Sequence, residues 1–152
     1  MSTERAWADA RLLWDHHLMH HTPVPCSVTI ENIRFSRALL EEAGVDVSSV
    51  LLVSKPYEER RANATARKLW PGVEFVSASS PMTFEEYVAS IRDERLVIDM
   101  LVGALQRLMI YPAQGFMVAD PVPGEVTAAY ERLCRAGFTS RLVTDGRGAV
   151  GQ

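Results

Sequence analysis

The residues best suited to chemistry fall into three groups. Lys55, Tyr57, Arg60 and Arg61 follow directly on Val50-Leu-Leu-Val-Ser54, a short apolar run that reads as a strand. The carboxyl ends of parallel strands are where open α/β sheets bind ligands. Arg61 can grip a carboxylate or phosphate with the two parallel N–H groups of its fork, with Lys55 beside it as a point charge. A solvated basic first turn, neutralised by Glu58 and Glu59, explains the same residues and is the reading that suits Arg60. The second group is Thr29, Glu31 and Asn32: a hydroxyl, a carboxylate and an amide at the start of a helix, where unpaired N–H groups and the positive dipole end orient a polar ligand. Plain capping accounts for them equally well. The third group is His16, His17, His20 and His21, whose spacing lets two imidazoles on one helix share a metal. No third ligand accompanies them, so no metal is expected. His17 and His21, the pair to consider, read as packed, hydrogen-bonded histidines. Cys26 and Cys134 lack a base nearby in sequence and read as buried thiols, and Met100, Met109 and Met117 as core filling. The chain has no Gly-x-Ser-x-Gly, no Walker loop and no His-Glu-x-x-His. These residues specify no reaction.

The elements that must position these groups come from periodicity and punctuation. Trp7, Ala10, Trp14, Leu18 and His21 form one stripe and predict a helix over 3–21, stopped by Thr22-Pro23. Pro23-Val-Pro-Cys-Ser-Val28 reads as an extended connector or the stump of a strand. Thr29 caps a second helix in which Ile30, Ile33, Ala38, Leu40 and Ala43 turn inward, and Gly44 ends it. The run at 50–54 has the continuous apolar character of a strand covered on both faces. A helix over 57–69, closed by Trp70-Pro71-Gly72, and a strand over 73–77 complete a βαβ unit, so the two strands should be parallel. Thr83-Phe-Glu-Glu86 is a capping box that starts a helix to about Arg92. A more buried helix spans Asp93 to Tyr111, with Leu96, Met100, Leu101, Leu105 and Leu108 inward, and a last one runs from Pro123 to Gly137.

Composition excludes several classes of function. Sixteen Lys and Arg against nineteen Asp and Glu give a net charge of −3, with no long basic run to meet a phosphate backbone, so nucleic acid is not an expected partner. A chain of 152 residues buries roughly two-thirds of its unfolded surface and needs neither disulfides nor a structural metal. The cysteines form no Cys-x-x-Cys pair and the N-terminus has no signal h-region, so a cytoplasmic protein with free thiols is expected. The most apolar stretch, Leu96 to Leu105, contains Asp99 and falls far short of the roughly 20 residues of a membrane span.

Thr29-Ile-Glu-Asn32, then Leu51-Leu-Val-Ser-Lys-Pro-Tyr57 and Arg61-Ala62, resemble the YdcF-like family, related to SanA and ElyC. The similarity extends over 29–143, including Lys68-Leu-Trp-Pro71 and Val97-Ile-Asp-Met-Leu-Val-Gly103, and residues 13–26 look like the start of actinobacterial members. The resemblance implies a Rossmann-like domain, with S-adenosylmethionine or another nucleotide-like ligand for some members and cell-envelope roles for others. It adds a ligand role to Thr29, Glu31 and Asn32. Relatives carry a Gly-rich strand-turn segment and a second strand before the Thr-x-Glu-Asn turn, whereas here Cys26-Ser-Val28 runs straight into Thr29. The chain thus looks like a member with tens of internal residues removed, including glycines that let backbone approach a phosphate. Val28 replaces an asparagine often found there, and Glu58 a histidine.

The expected architecture is α/β: a reduced, helix-rich Rossmann-like parallel sheet in a single domain over 1–145, followed by a mobile tail over 146–152. The expected function is binding of a small anionic or nucleotide-like ligand through Thr29, Glu31, Asn32, Lys55, Tyr57 and Arg61. The alternative is a shortened, non-catalytic relative acting by self-association or partner binding, or one diverted to a specialised pathway. A two-stranded sheet leaves both edges open, so a homodimer is expected, formed across the sheet or by packing Trp7 and Trp14 over the gap in a partner.

Overall fold

The computed structural model of the chain describes residues 3–17 and 29–143. Helix α1, Thr3–His17, and α2, Thr29–Glu42, precede strand β1, Ser49–Val53. A 3-10 turn at Pro56–Glu58 leads into α3, Glu59–Leu69, and then β2, Glu74–Ala78. Helices α4, Phe84–Ile91, α5, Glu94–Ile110, and α6, Gly124–Arg135, complete the order. The expected helix beyond His17, the 23–28 connector, Cys26, His20, His21 and the 146–152 tail lie outside the described residues. So do the side chains of His17 and Thr29.

Local chemistry sets the boundaries. The Thr83 hydroxyl accepts from Glu86 N at 3.2 Å while the Glu86 carboxylate accepts from Thr83 N at 2.8 Å, the reciprocal box read from the sequence. Arg92, at φ 59°, turns the chain out of α4, and the Asp93 carboxylate caps α5 by accepting from Leu96 N at 2.9 Å. The helix expected over 57–69 opens as the 3-10 turn, because Pro56 fixes the entry and Glu58 N donates back to Lys55 O.

The fold is a helix-rich, reduced α/β Rossmann-like arrangement around a two-stranded parallel sheet, with Val50 opposite Phe75 and Leu51 opposite Val76. Helix α3 covers one face. Its Asn63 amide donates to Ser77 Oγ at 3.2 Å and Phe75 O at 3.4 Å, and Trp70, just past its end, meets the Phe75 ring edge-on. The other face is open, which corrects the expectation of a strand covered on both sides: Leu51 and Val76, side by side in register, are 62% and 50% exposed. Apolar composition marks the run as strand but cannot say whether a second helical layer exists to cover it. Helix α2 departs from expectation in the same way. Ile33 is buried as expected, but Ala38 and Ala43 are exposed and Ile30 and Leu40 only half-buried, because the helix packs chiefly on α3. Phe35 and Leu39 are left in solvent.

The core lies on the far side of α3. Helix α5 runs through it with Val97, Ile98, Leu101, Val102, Leu105 and Leu108 at most 1% exposed. Leu96 and Met100, expected inside, are half-buried; the helix is enclosed nearly all round in this stretch, which a one-stripe reading underestimates. Met117 is buried, and Met109 packs against the core's margin. Helix α1 packs on α5 and α6, and its aromatic stripe is engaged within the chain: Trp14 lies 5.0 Å from Tyr87 and 5.9 Å from Phe84, ring to ring. Trp7 donates to Glu94 Oε1 at 2.6 Å. Those rings are therefore not available to cover a gap in a partner, contrary to that version of the dimer. Asp9, also on the buried side, grips Arg132 of α6 through two hydrogen bonds of 2.9 and 2.6 Å.

Candidate functional site

The turn after β1 places three of the expected residues together. Ser54 N extends the strand pairing by donating to Ala78 O at 3.0 Å, and Lys55 keeps an extended backbone before Pro56 starts the turn. Tyr57 is consequently buried, its ring meeting Tyr87 edge-on at 6.2 Å, with Lys55 Nζ 5.9 Å from the Tyr57 ring centre. Arg61 lies in the first turn of α3 and donates to Glu58 Oε1 at 3.0 Å. Arg60 points elsewhere: its fork grips Asp120 at 2.8 Å through both nitrogens, so Asp120, not Glu58 or Glu59, neutralises it. Glu59 is fully buried.

Helix α5 and the segment after α6 supply the opposite wall. Lys55, Tyr57, Glu58 and Arg61 share a depression of about 400 Å³ with Met100, Ala104, Arg107 and Arg141. The segment carrying Arg141 lies across α5: Ser140 N donates to the buried Asp99 carboxylate at 3.2 Å, and Arg107 donates to Arg141 O at 3.0 Å. Val143 N and O each pair with the Gln106 amide, at 2.7 and 3.2 Å. Neither Arg107 nor Arg141 carries a local sequence signal, since both converge only through tertiary packing. Gly103 does carry one: a glycine inside a helix costs about 1 kcal/mol against alanine and marks a close approach.

Among the described residues, four cationic side chains against the carboxylate of Glu58 make this corner basic on a chain whose net charge is −3. The Tyr57 hydroxyl is pushed up to about 12, chiefly by burial, with Glu58 adding to the rise and Arg61 and Arg141 opposing it. Tyr57 is therefore a neutral hydrogen-bond donor at neutral pH. The arrangement can hold an anion by charge-assisted hydrogen bonds beside an apolar ring.

The remaining expected residues lie elsewhere. Thr29 opens α2, and Glu31 is exposed on that helix. Asn32 borders a separate depression of about 190 Å³ with Ile33, Ser36, Val50–Val53, Trp70 and Phe75, along β1. A third depression, of about 430 Å³, sits where β2 ends, between Trp14, Glu59, Ser79, Met82 and Phe84, with the Arg11–Glu85 ion pair at its rim. Among the described residues no group of three or more His, Cys, Asp and Glu side chains is placed to hold a metal, and no helix is long and apolar enough to cross a membrane. Cys134 is half-buried instead of fully buried, and burial pushes its thiol above its ordinary value.

No family model and no solved structure matches the chain. An uncharacterized protein of Streptomyces coelicolor is 43% identical over 216 aligned positions, which take in 95% of this chain and 98% of that protein. Since 95% of 152 residues is about 144, about 72 of those positions hold a residue of the relative and none of this chain. Aligned gaps of this kind lie inside the matched stretch.

Proposed function

We propose that this chain, which belongs to one family with the Streptomyces coelicolor protein, binds a small anionic or nucleotide-like ligand at the basic corner after β1. The observation that carries the reading is the convergence of Lys55 and Arg61 from one side with Arg107 and Arg141 from the other, around Tyr57. A YdcF-like assignment fits this reading through the Leu51–Tyr57 and Arg61-Ala62 segments, with the shortened form fitting the 72 unmatched positions. The free-thiol composition suits a cytoplasmic setting. Thermal unfolding with inorganic phosphate, pyrophosphate, adenosine monophosphate and S-adenosylmethionine tests it. A ligand at 100 times its Kd raises stability by about 2.7 kcal/mol. No rise with any of the four compounds contradicts the reading.

Self-association is a second reading, favoured by the open sheet face. Leu51 and Val76 are adjacent apolar side chains, both strands have an unpaired edge among the described residues, and Phe35 and Leu39 of α2 add further exposed apolar surface. A second copy that continues the sheet across a two-fold axis pairs an open edge, and one packed on the open face covers Leu51 and Val76. Light scattering at micromolar concentration distinguishes the cases: twice 16.9 kDa supports the dimer, and a monomeric mass that persists on concentration removes it.

A further inference from the structure

The depression beside Trp14 and Glu59 and the groove along β1 contain no feature that selects a ligand class. The basic corner does. Building on the anion-binding reading of that corner, we propose that it is built for a phosphoryl group, and that Gly103 creates it by letting the 139–143 segment lie against α5 so that Arg141 completes the cationic ring.

Charge favours a phosphoryl group over a monocarboxylate or S-adenosylmethionine. A monocarboxylate is satisfied by one guanidinium fork, whereas four cations facing one glutamate among the described residues are matched by an anion carrying two or more charges. S-adenosylmethionine carries one carboxylate against a sulfonium and an ammonium, a net positive charge that this corner repels. Phosphate oxygens also accept from several donors at once, and the corner offers three guanidinium groups and an ammonium as donors.

The placement of Arg141 is a matter of sterics. A Cβ added at Gly103 would stand 2.5 Å from Arg141 O and 2.8 Å from Arg141 Cβ, and 3.0 Å from Arg107 Nη1. The first of these atoms is backbone, so an alanine forces the segment itself to shift. The segment is held by Asp99, Gln106 and Arg107 on either side of that position, with Arg107 bridging Gly103 O at 2.7 Å and Arg141 O at 3.0 Å. The placement of Arg141 thus depends on one missing methyl group, and Gly103 is a positioning residue.

Pyrophosphate titrations of the full chain, Gly103→Ala, Arg141→Ala and the double variant test both parts, with hydrogen exchange at Ser140 and Val143 read in parallel. Each single variant is expected to bind pyrophosphate at least tenfold more weakly while staying folded, and the double variant no more weakly than Arg141→Ala. Exchange at Ser140 and Val143 is expected to quicken in Gly103→Ala. Unchanged exchange and unchanged affinity in Gly103→Ala overturn its positioning role. Arg141 is exposed, so its variant keeps the test open if Gly103→Ala does not fold. Wild type that binds S-adenosylmethionine as tightly as pyrophosphate overturns the phosphoryl class alone. Wild type that binds none of the anions overturns the anion-binding reading itself, and the exchange data still decide the role of Gly103.

Discussion

The two sides of α3 are built to different standards. On one side α1, α4, α5 and α6 enclose side chains such as Leu101, Leu105 and Leu133, all at 0% exposure. On the other, the sheet and α2 leave Phe35, Leu39, Leu51 and Val76 half or more exposed, although these residues are as apolar as those of the core. Composition is therefore not what separates the two sides. The difference is the number of layers among the described residues: a strand pair with one helical layer keeps an open face, whereas a helix packed among others is enclosed nearly all round. The basic corner sits where the two sides meet, taking Lys55 and Arg61 from the sheet side and Arg107 and Arg141 from the helical side.

This contrast breaks most visibly under truncation. Leu105→Ala should destabilise the chain by about 2 to 5 kcal/mol, the range for a buried leucine that leaves a cavity, while Leu51→Ala should stay within about 0.5 kcal/mol. Urea unfolding checks both, and a Leu51→Ala loss comparable to that of Leu105→Ala shows that the sheet face is covered in solution. Leu51→Asp then sharpens the result: a monomer tolerates it, and a dimer formed over this face dissociates on light scattering.

Alkaline titration gives a smaller, graded signature. Tyr57, Tyr87 and Tyr130 are each pushed up to about 12, burial being the largest cause in every case. Because an unfolded chain releases these protons near pH 10, the unfolded state holds fewer protons than the folded one between about pH 10 and 12. The stability from the three neutral phenols is thus complete below pH 10 and lost as pH rises through 12. Phenolate absorbance should show Tyr57→Phe removing one late-titrating group, and equal titration of all four tyrosines near pH 10 contradicts the burial of the turn after β1. A small effect is also expected at Glu31→Gln, because a first-turn carboxylate adds only about 0.3 to 1 kcal/mol through the dipole. Anion affinity should be unchanged there, since Glu31 is exposed on α2 and does not border the basic corner.

Much of the fold is legible in the sequence because its punctuation is local. The Thr83-x-x-Glu86 box, Gly44 and Gly137 at positive φ, and the strand-helix-strand order each depend on residues within a few positions. What sequence does not reveal is layering. The apolar pattern of Val50–Val53 is the same whether or not a second helical layer lies over it, and an inward stripe on α2 presumes a sheet wide enough to pack on. The site divides in the same way. Lys55, Tyr57 and Arg61 are close in sequence and stay close in space, while Arg107 and Arg141 join them only because the 139–143 segment folds back over Gly103. Resemblance alone groups Thr29, Glu31 and Asn32 with the strand's end, and α2 holds Glu31 and Asn32 away from the basic corner.

The affinity of one guanidinium for an anion is the most direct test of the basic corner. Calorimetric titration of pyrophosphate into wild type and Arg61→Ala should show a loss of about 1.5 to 3 kcal/mol, the range for a hydrogen bond to a charged group, with little change in melting temperature. Equal affinity in the two proteins would contradict the assignment of the corner after β1 as the binding site.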